Sequence, residues 1–329
     1  MDEFNFINIL LTPLTRQHPE TFALTDDAAR LPPCPKGQEW LIASDTLIAG
    51  VHCFPDDAPQ HIAAKLLAIN LSDMAAMGAT PHSYQLCLTL PRNVTAAWLE
   101  AFANGLGDTQ LRYNIYLSGG DTTAHDGTLV ASITMLGQCE KGACLQRSGA
   151  QPGDVIYVSG TLGDAALGLM LRKGQLPDLP ETDRDYLLHR YLLPEPRIAL
   201  GQQLRGIATS AMDISDGLLA DLQHLCHASG VGADVQYNAL PRSAAAHALE
   251  TRYPEIWPKI WQQVFSAGDD YELLFTAPED KLAEIKNFSQ TLALPITRIG
   301  IATKSKHAPR LLDVSGSSIS ITKQGFMHL

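Results

Sequence analysis

Short acidic motifs recur along this 329-residue chain, and most of them directly follow or precede an apolar segment. Clustered carboxylates repel one another, so a fold that gathers them must neutralise them with cations. Glycines beside several motifs let the backbone approach a ligand closely. The pattern therefore favours a fold that places carboxylates and backbone amides around divalent cations and a polyphosphate, as in a magnesium–nucleotide site. The motifs are Asp26-Asp27, Ser44-Asp45, Asp73, Gly119-Gly120-Asp121, Asp213-Ile214-Ser215-Asp216-Gly217 and Gly268-Asp269-Asp270-Tyr271-Glu272.

The length of the chain predicts two domains, because single hydrophobic cores usually stop growing at roughly 250–300 residues. A formal net charge of −11 argues against non-specific nucleic-acid binding, which needs a basic surface. The first residues lack the basic start and long apolar stretch of a secretory signal. No segment approaches the roughly 18 apolar residues of a membrane span. We therefore expect a soluble cytoplasmic protein that binds neither nucleic acid nor membrane.

The first half of the chain shows a β-α-β-α-β-β order of predicted elements. Apolar residues at helical spacing indicate the helices, and alternating apolar residues indicate the strands. This order favours an α/β sandwich with helices on one face of a sheet. The predicted strands cover 40–44, 84–90, 115–118 and 128–138, and the predicted helices cover 60–77 and 95–113.

Composition shifts at 140–143, which predicts a linker between an N-terminal domain, 1–140, and a C-terminal domain, 141–329. The second half restarts with a strand that enters a glycine-rich turn and a helix. The fold class is therefore α/β, with two mixed-sheet domains and helices packed on the sheets. Segments 175–182 and 237–258 are expected to be surface connections, the second with some helix. Predicted strands cover 154–159, 211–214, 271–276 and 296–301, and predicted helices cover 183–193, 197–209 and 281–288, with another from 216 onward.

The motif at 213–217 carries the strongest local signal for ligand binding. An apolar strand ends at Asp213, and Asp216 then stands at the start of a helix. Ser215 or Asp216 is suited to cap that helix, which is a common role for these residues. Capping leaves Asp213 unexplained, because an aspartate between two apolar residues would be half buried without a partner, which is costly. We therefore expect Asp213 to hold a ligand.

The other motifs are ambiguous when each is taken alone. The glycines at 119–120 follow a predicted strand and are expected to offer free amides beside Asp121, although a simple turn would have the same composition. Asp26-Asp27 and Ser44-Asp45 equally suit turns or helix caps. Asp73 lies on a largely apolar helix, where an exposed, ion-paired aspartate is the alternative. The joint occurrence of the motifs favours metal and phosphate binding.

Several familiar sites are excluded. The chain contains no Gly-x-x-x-x-Gly-Lys-Ser/Thr loop, and residues 160–163 lack the glycine order of a dinucleotide-binding motif. His224 and His227 share a helical face, but we expect a solvated pair rather than a zinc site. Arg147 is suited to clamp a phosphate with two hydrogen bonds, and a plain surface arginine is its alternative.

Taken together, these motifs resemble the thiamine-monophosphate kinase family, which lies within the aminoimidazole-ribonucleotide-synthetase-like ATP-binding superfamily. The resemblance extends from about residue 22 to residue 326. The elements Asp-Thr-Leu-x-x-Gly-x-His at 45–52 and Asn-Leu-Ser-Asp-x-Ala-Ala-Met-Gly at 70–78 select this family within the superfamily. The remaining matching stretches are 25–29, 118–123, 147–150, 152–154, 213–218 and 268–273.

The resemblance implies an enzyme that converts thiamine monophosphate to thiamine diphosphate by direct in-line transfer from ATP, the last step of thiamine diphosphate biosynthesis. It also implies several bound Mg²⁺ ions, an ATP cleft between the two domains, and a homodimer formed by sheet-edge pairing. The acceptor phosphate is already anionic, so no catalytic base is expected. Magnesium ions held by carboxylates would cancel the repulsion between the two polyanions and set the in-line geometry.

The resemblance also assigns individual residues. His52 is expected to orient the acceptor phosphate rather than to take a proton. Asp269 stands where the family usually has glutamate, which shortens the reach of that contact. The implied metal ligands are Asp27, Ser44, Asp45, Asp73, Asp121, Asp213 and Asp216; the ATP contacts are Gly120, Asp121, Tyr113, Arg147 and Ser215; the substrate contacts are His52, Asp269 and Phe326.

Two alternatives are open at this point. The nearer one is another ATP-using enzyme of the superfamily, which would phosphorylate an amide oxygen or an inorganic nucleophile. A cysteine or lysine in a mobile N-terminal segment often serves such enzymes, and residues 1–21 contain neither. The other alternative is a non-catalytic acidic metal-binding module. Asp73 and Asn70 on an otherwise apolar helix count against it, because a passive surface does not require them.

Overall fold

The computed structural model describes residues 2–264 and 267–319. The chain divides into one unit made of Met1–Met74 and Ala79–Gly142 and another made of Ala75–Gly78 and Ala143–Leu329. Each unit contains a β-sheet and packed helices, so the expected α/β class with two mixed sheets is confirmed. None of the described helices has the length and apolar character needed to cross a membrane.

The first unit is built on a four-stranded mixed sheet with the strand order β1-β4-β2-β3. Strands β2 and β3 are parallel and are joined through helix α3, whereas β4 runs antiparallel to both β1 and β2. A parallel pair joined by a helix places that helix on one face of the sheet. The elements are α1 (Glu3–Asn5), β1 (Gln38–Ile48), α2 (Pro59–Ala76), β2 (Thr80–Pro91), α3 (Ala96–Tyr113), β3 (Tyr116–His125) and β4 (Val130–Glu140).

Helices α2 and α3 pack on the same sheet through buried polar and apolar contacts. Thr95 caps α3 by accepting the N–H of Trp98 at 3.1 Å, and α3 ends where Asn114 adopts a left-handed conformation. The hydroxyl of Tyr84 on β2 donates to the side chain of Gln110 on α3 at 3.1 Å. Both predicted helices of this half are therefore confirmed, within one residue at each end.

The opposite face of this sheet is exposed within the described part of the chain. Residues of β1 alternate in exposure, as the two faces of a strand require. Ile42 is 70% exposed, and Ser44, Thr46 and Cys87 are also exposed. The first unit therefore has a helix-covered face and an open face, and its edge strand β1 carries an exposed apolar residue.

The second unit is built on a seven-stranded mixed sheet with the order β11-β10-β7-β9-β5-β8-β6. Antiparallel pairing dominates it, and β7 with β10 is the parallel pair. Its elements are β5 (Val155–Ser159), α4 (Asp164–Arg172), α5 (Glu181–Leu192), α6 (Ile198–Leu204), β6 (Ser210–Asp213), α7 (Leu218–Ser229), β7 (Gly232–Gln236), α8 (Ala244–Arg252), α9 (Trp257–Val264), β8 (Leu273–Ala277), α10 (Leu282–Thr291), β9 (Ile296–Thr303), β10 (Arg310–Leu312) and β11 (Ser318–Ile319).

Both faces of this larger sheet are buried. Ile156 and Val158 of β5 enter one hydrophobic cluster, whereas Val155 and Tyr157 enter another. Adjacent residues of a strand point to opposite faces, so the two clusters lie on opposite sides of the sheet. This burial explains why β5 reads as a continuous apolar run rather than as an alternating one.

Segment 237–258 differs from its prediction as a surface connection. It contains α8 and the start of α9, and Leu249, Trp257 and Trp261 are buried in the core of the second unit. The rings of Trp257 and Trp261 stack with their centroids 5.0 Å apart. The expectation of some helix is confirmed, whereas the surface position is wrong because apolar residues of α8 and α9 pack into the core.

Candidate functional site

A cavity of about 430 Å³ in the first unit gathers part of the predicted site. Asp27 lines it from the N-terminal segment, and Gly120 and Asp121 line it from β3. Gln85 and Cys87 of β2 complete the adjoining wall. Asp27 and Asp121 are both exposed, so their carboxylates are accessible to a cation. The sequence motifs did not single out Gln85 or Cys87, because only the pairing of β2 with β3 places them here.

The glycine motif lies inside strand β3 rather than in the turn that its composition suggested. Gly120 pairs with Leu86 and Asp121 pairs with Cys87. Gly120 has a φ of +155°, and a Cβ atom there would lie 1.8 Å from the carbonyl oxygen of Leu86. Glycine is therefore required for the close approach of β3 to β2. Because β3 is an edge strand that pairs with β2 on one side, alternate backbone N–H groups along it point away from the sheet.

Asp45 also lies inside a strand, and a buried side chain of α2 holds its backbone. Asn70 is 0% exposed; its Oδ1 accepts the N–H of Asp45 at 3.0 Å, and its Nδ2 donates to the carbonyl of Leu66 at 2.9 Å. Asp73 lies three residues further along α2, which places it on the same helical face as Asn70. Helix α2 therefore presents Asp73 toward the strand that carries Asp45.

Ser44 does not share this environment. Neighbouring residues of a strand point to opposite faces, so Ser44 lies on the open face when Asp45 faces α2. The Ser44 hydroxyl donates to the carbonyl of Ile133 at 2.9 Å. The structure therefore does not bring the side chains of Ser44 and Asp45 to one point.

His52 lies in the turn after β1, with its tautomer set by the backbone. Its Nδ1 accepts the N–H of Ile48 at 3.0 Å, and Lys65 donates to the His52 carbonyl at 3.2 Å. An imidazole nitrogen that accepts a hydrogen bond carries no proton, so the neutral ring holds its proton on Nε2. His52 therefore presents a donor, which suits a phosphate oxygen.

Three further predicted residues are Tyr113 of the first unit, Arg147 of the second unit and Phe326. Tyr113 is the last residue of α3, where the guanidinium of Arg112 lies 5.4 Å from its ring centroid. Arg147 is exposed, and its guanidinium has no hydrogen-bond or ion-pair partner within 2–264 and 267–319. Phe326 lies outside the described residues.

In the second unit, the predicted metal loop 213–217 folds around a carboxylate that the motifs did not single out. Oδ2 of Asp221 accepts the backbone N–H groups of Ser215, Asp216 and Gly217 at 3.0, 3.1 and 3.1 Å. Asp221 is 1% exposed and lies in the first turn of α7, where the helix dipole favours a negative charge. The sequence signal that could have identified Asp221 is its position four residues after Gly217, near the start of a predicted helix.

Burial, together with the charges of Asp216 and Asp213, raises the pKa of Asp221 to about 7. The same charges show that three carboxylates lie close together at this loop. Such a group is unfavourable without a cation, because like charges oppose one another at short range. Asp221 accepts three backbone amides, so the carboxylates of this loop that fit a divalent metal are the pair Asp213 and Asp216.

The loop that carries Asp269 is joined to the metal loop by backbone hydrogen bonds. Asp269 N–H donates to the carbonyl of Ser215 and Tyr271 N–H to that of Ile214, each at 2.9 Å. Ile214 N–H donates in return to the carbonyl of Glu272 at 2.9 Å. Asp269 and Tyr271 both have positive φ, at 70° and 50°. The two loops therefore form one structural element.

His224 and His227 line a groove of about 660 Å³ that also reaches Asp216. Both histidines are exposed, as expected of a solvated pair. Within residues 2–264 and 267–319, no three histidine, cysteine, aspartate or glutamate side chains are arranged to hold a metal ion. Mg²⁺ at nucleotide sites is usually held by one or two carboxylates together with phosphate oxygens. The candidate pairs of carboxylates are Asp27 with Asp121, Asp45 with Asp73, and Asp213 with Asp216.

The arrangement agrees with comparisons to known proteins. Residues 25–139 match the N-terminal domain of AIR synthase related proteins, and residues 151–311 match the C-terminal domain. The two matches define the chain as a two-domain protein of the AIR synthase related class. A thiamine-monophosphate kinase of Salmonella typhimurium is 46% identical over 275 residues, which cover 84% of this chain and 82% of that protein. The chain belongs to the thiamine-monophosphate kinase family.

Solved structures of the family have the same fold. The thiamine-monophosphate kinase of Stenotrophomonas maltophilia is 38% identical and superposes with a TM-score of 0.84, covering 97% of this chain and 98% of that one. AaThiL, solved in complex with AMPPCP and TMP, is 27% identical with a TM-score of 0.78 and covers 99% of this chain and 97% of that one.

Proposed function

We propose that this chain transfers the γ-phosphoryl group of ATP to thiamine monophosphate and so forms thiamine diphosphate, the last step in the biosynthesis of that cofactor. The observation that carries the proposal is the likeness to AaThiL in complex with AMPPCP and TMP, which extends over 99% of this chain. AMPPCP is an ATP analogue, so that protein binds a nucleotide and a phosphorylated acceptor. The 46% identity to a thiamine-monophosphate kinase supports the same acceptor.

The acceptor chemistry explains why acidic residues dominate the site. A phosphate monoester is already a nucleophile, whereas its approach to ATP is opposed by charge. Two unit charges of the same sign at about 4 Å repel by about 4 kcal/mol at an effective dielectric constant of about 20. Magnesium held by this chain would supply the positive charge that offsets this repulsion. We propose Asp27, Ser44, Asp45, Asp73, Asp121, Asp213 and Asp216 as its ligands.

Several side chains are proposed to bind the two substrates directly. The Nε2–H of His52 would donate to the acceptor phosphate, and the exposed guanidinium of Arg147 would bind the phosphates of ATP. The carboxylate of Asp269 complements the positive charge of the thiazolium ring. For ATP we further propose Gly120, Asp121, Tyr113 and Ser215, and for the thiamine moiety Phe326.

The decisive experiment incubates the protein with Mg-ATP and thiamine monophosphate and measures thiamine diphosphate by chromatography. Formation of thiamine diphosphate separates this function from that of another superfamily kinase and from that of a non-catalytic metal-binding module. Asp45→Asn and Asp213→Asn should each lower kcat by about 1,000-fold, because each removes a charge that holds the cation. Asp178→Asn, at an exposed position, is the matched control. Wild-type turnover in both of the first two variants would refute the metal assignments.

We further propose that the protein is a homodimer in the cytoplasm, where ATP is available. The exposed face of the four-stranded sheet and the unpaired edge of the 11-residue strand β1 support the dimer. Long edge strands with exposed apolar residues tend to pair with another chain. Ile42, 70% exposed on β1, is an apolar residue whose exposure the dimer would explain.

A further inference from the structure

We infer that Glu272 is a positioning residue, which sets the geometry of the metal loop (213–217) and of the acceptor loop (268–271) together. The inference rests on the proposed function. Glu272 ends the acidic motif at 268–272, but neither the family resemblance nor the chemistry of phosphoryl transfer assigned it a role. Glu272 has no place among the expected metal or substrate contacts. It is 0% exposed and stands directly before strand β8, at the point where the acceptor loop ends.

Two arginines from different elements hold the carboxylate of Glu272. Arg190 of α5 donates through Nη2 to Oε1 at 2.8 Å, and Arg197, at the N-terminus of α6, donates through Nε to Oε2 at 2.7 Å. A second donor of Arg197, Nη2, also bonds Oε1. Such a fork of two parallel bonds fixes both the position and the plane of a carboxylate.

Ser159, the last residue of β5, completes the network. Its hydroxyl donates to Oε2 of Glu272 at 2.6 Å and accepts the N–H of Leu273 at 2.9 Å. There is no room for a further group: a Cβ atom at Gly160 would lie 2.2 Å from Oε1 of Glu272. The carboxylate is therefore fixed between β5, α5 and α6.

The backbone of Glu272 transmits this position to both loops. Its carbonyl accepts the N–H of Ile214, which lies inside the metal loop. Ile214 in turn accepts the N–H of Tyr271, and Ser215 accepts that of Asp269. A shift of Glu272 must therefore move the carbonyl that anchors the metal loop and the residues that precede it in the acceptor loop.

The charge of Glu272 is also necessary to its neighbours. Arg190 is 6% exposed, and its Nε has no hydrogen-bond partner within residues 2–264 and 267–319. A neutral side chain at 272 would leave the buried guanidinium of Arg190 with less compensation, and uncompensated buried charges force their surroundings to rearrange; the partly buried Arg197 keeps a second partner, Glu195, at 3.1 Å. The structure therefore assigns Glu272 to holding the loops in place, not to contact with a substrate.

Hydrogen exchange and kinetics together test the inference. In Glu272→Gln we expect amide exchange in peptides covering 210–217 and 267–272 to accelerate by about tenfold or more, with exchange in β7 unchanged. We expect kcat per folded molecule to fall by about 100-fold, as for a misplacement of about 1 Å. The KM for thiamine monophosphate and the Mg²⁺ concentration for half-maximal activity should both rise.

Two further variants keep the test decisive. Arg197→Lys retains the positive charge but loses the two-bond fork, so it should show the same pattern more weakly; it decides the outcome if Glu272→Gln does not fold. Leu249→Ala removes a fully buried side chain of α8 that is not part of the network. A purely structural role predicts a different pattern. All three variants would lose folded protein, while the KM for thiamine monophosphate and the Mg²⁺ concentration for half-maximal activity would stay unchanged in the folded fraction.

Unchanged exchange at both loops, with kcat within about twofold of wild type in the folded variants, would overturn the inference. The exchange measurement needs no turnover. A wild-type protein that forms no thiamine diphosphate would therefore refute the proposed function alone, whereas unaltered exchange in the variants would refute the positioning role alone.

Discussion

The side-chain Oδ1 of Asn70 accepts the backbone N–H of Asp45 at 3.0 Å. This bond ties the middle of helix α2 to strand β1 at the residue proposed to hold magnesium. Asn70 is fully buried and uses its amide nitrogen to bond α2 itself, so both ends of its side chain are engaged. Its role is therefore to fix a proposed ligand rather than to bind a substrate.

Replacement of Asn70 by alanine should lower the free energy of unfolding by about 1–3 kcal/mol, because the N–H of Asp45 loses its buried acceptor. Urea denaturation measures this change. Tyr84→Phe is the matched control, since it removes a buried hydrogen bond from the same unit at a position away from Asp45. Activity should fall further in Asn70→Ala than in the control; equal losses would show that Asn70 has no role beyond stability.

Gly119 and Gly120 are adjacent but should respond differently to alanine. A Cβ atom at Gly120 would lie 1.8 Å from the Leu86 carbonyl oxygen, whereas at Gly119 the nearest atom is Nε2 of Gln85 at 3.9 Å. We expect Gly120→Ala to cost about 1–3 kcal/mol of unfolding free energy through overpacking and Gly119→Ala to cost under about 0.5 kcal/mol. Thermal unfolding of the two variants side by side checks this. Similar melting temperatures would contradict the close strand approach.

The stability of the second unit should depend on pH through Asp270. Burial raises the pKa of Asp270 well above its ordinary value of 3.8, an effect opposed by the N–H of Gly163. The folded protein therefore keeps a proton that the unfolded chain releases above about pH 4. The contribution of Asp270 to unfolding free energy is complete below pH 3.8 and falls as pH rises, by up to about 1.4 kcal/mol per pH unit.

Asp270→Asn removes this titration and keeps an acceptor for Gly163. We expect the stability of the variant relative to wild type to increase between pH 4 and pH 8. Denaturation at several pH values measures the trend, with Asp178→Asn as a surface control for the loss of one carboxylate. A difference that does not change with pH would show that Asp270 is ionised in the folded protein.

Asp269→Asn should raise the KM for thiamine monophosphate by about tenfold and leave the KM for ATP unchanged. Asparagine tolerates the left-handed backbone of this position, where φ is 70°, so the variant removes the charge alone. A lost charge-assisted contact is worth about 1.5–3 kcal/mol, which agrees with a change of that size. Steady-state kinetics with each substrate varied in turn provides the measurement. A rise in the KM for ATP alone would reassign Asp269 to the nucleotide.

Ile42→Arg should convert the proposed homodimer to monomers, because it places a charge on the edge strand that is proposed to pair with a second copy. Light scattering coupled to size-exclusion chromatography measures the mass in solution. Val314→Arg is the control, since Val314 is 85% exposed in the second unit. A monomeric wild-type protein would refute the dimer proposal.

The fold was largely predictable from residue patterns, and the reasons differ between elements. Helix α3 was predicted from its apolar spacing, and the N-cap Thr95 and the left-handed Asn114 explain why its ends fall where they do. Strands β1 and β3 extend further than expected. Their polar ends lie on an open sheet face, and alternating polar residues on such a face look like a loop when no partner strand is known.

Residues that act through distant pairing could not be predicted. Asn70 and Asp45 are 25 positions apart, and only the packing of α2 on β1 brings them together. Asp221 follows one motif and Glu272 ends another, yet nothing in a single sequence distinguishes a carboxylate that binds backbone amides or arginines from one that binds a metal. The side chains of Ser44 and Asp45 lie on opposite faces of β1, which their adjacency in a motif did not by itself reveal.

The contact between Gly268 and Ser215 limits how this enzyme can be altered. A Cβ atom at Gly268 would lie 1.6 Å from the Ser215 carbonyl oxygen, so no other amino acid fits unless both segments move. Attempts to redirect the protein to new acceptors should keep this crossing and vary only outward-facing side chains such as Asp269. Lineages that changed one segment would need a compensating change in the other, so the two stretches should be inherited as a pair.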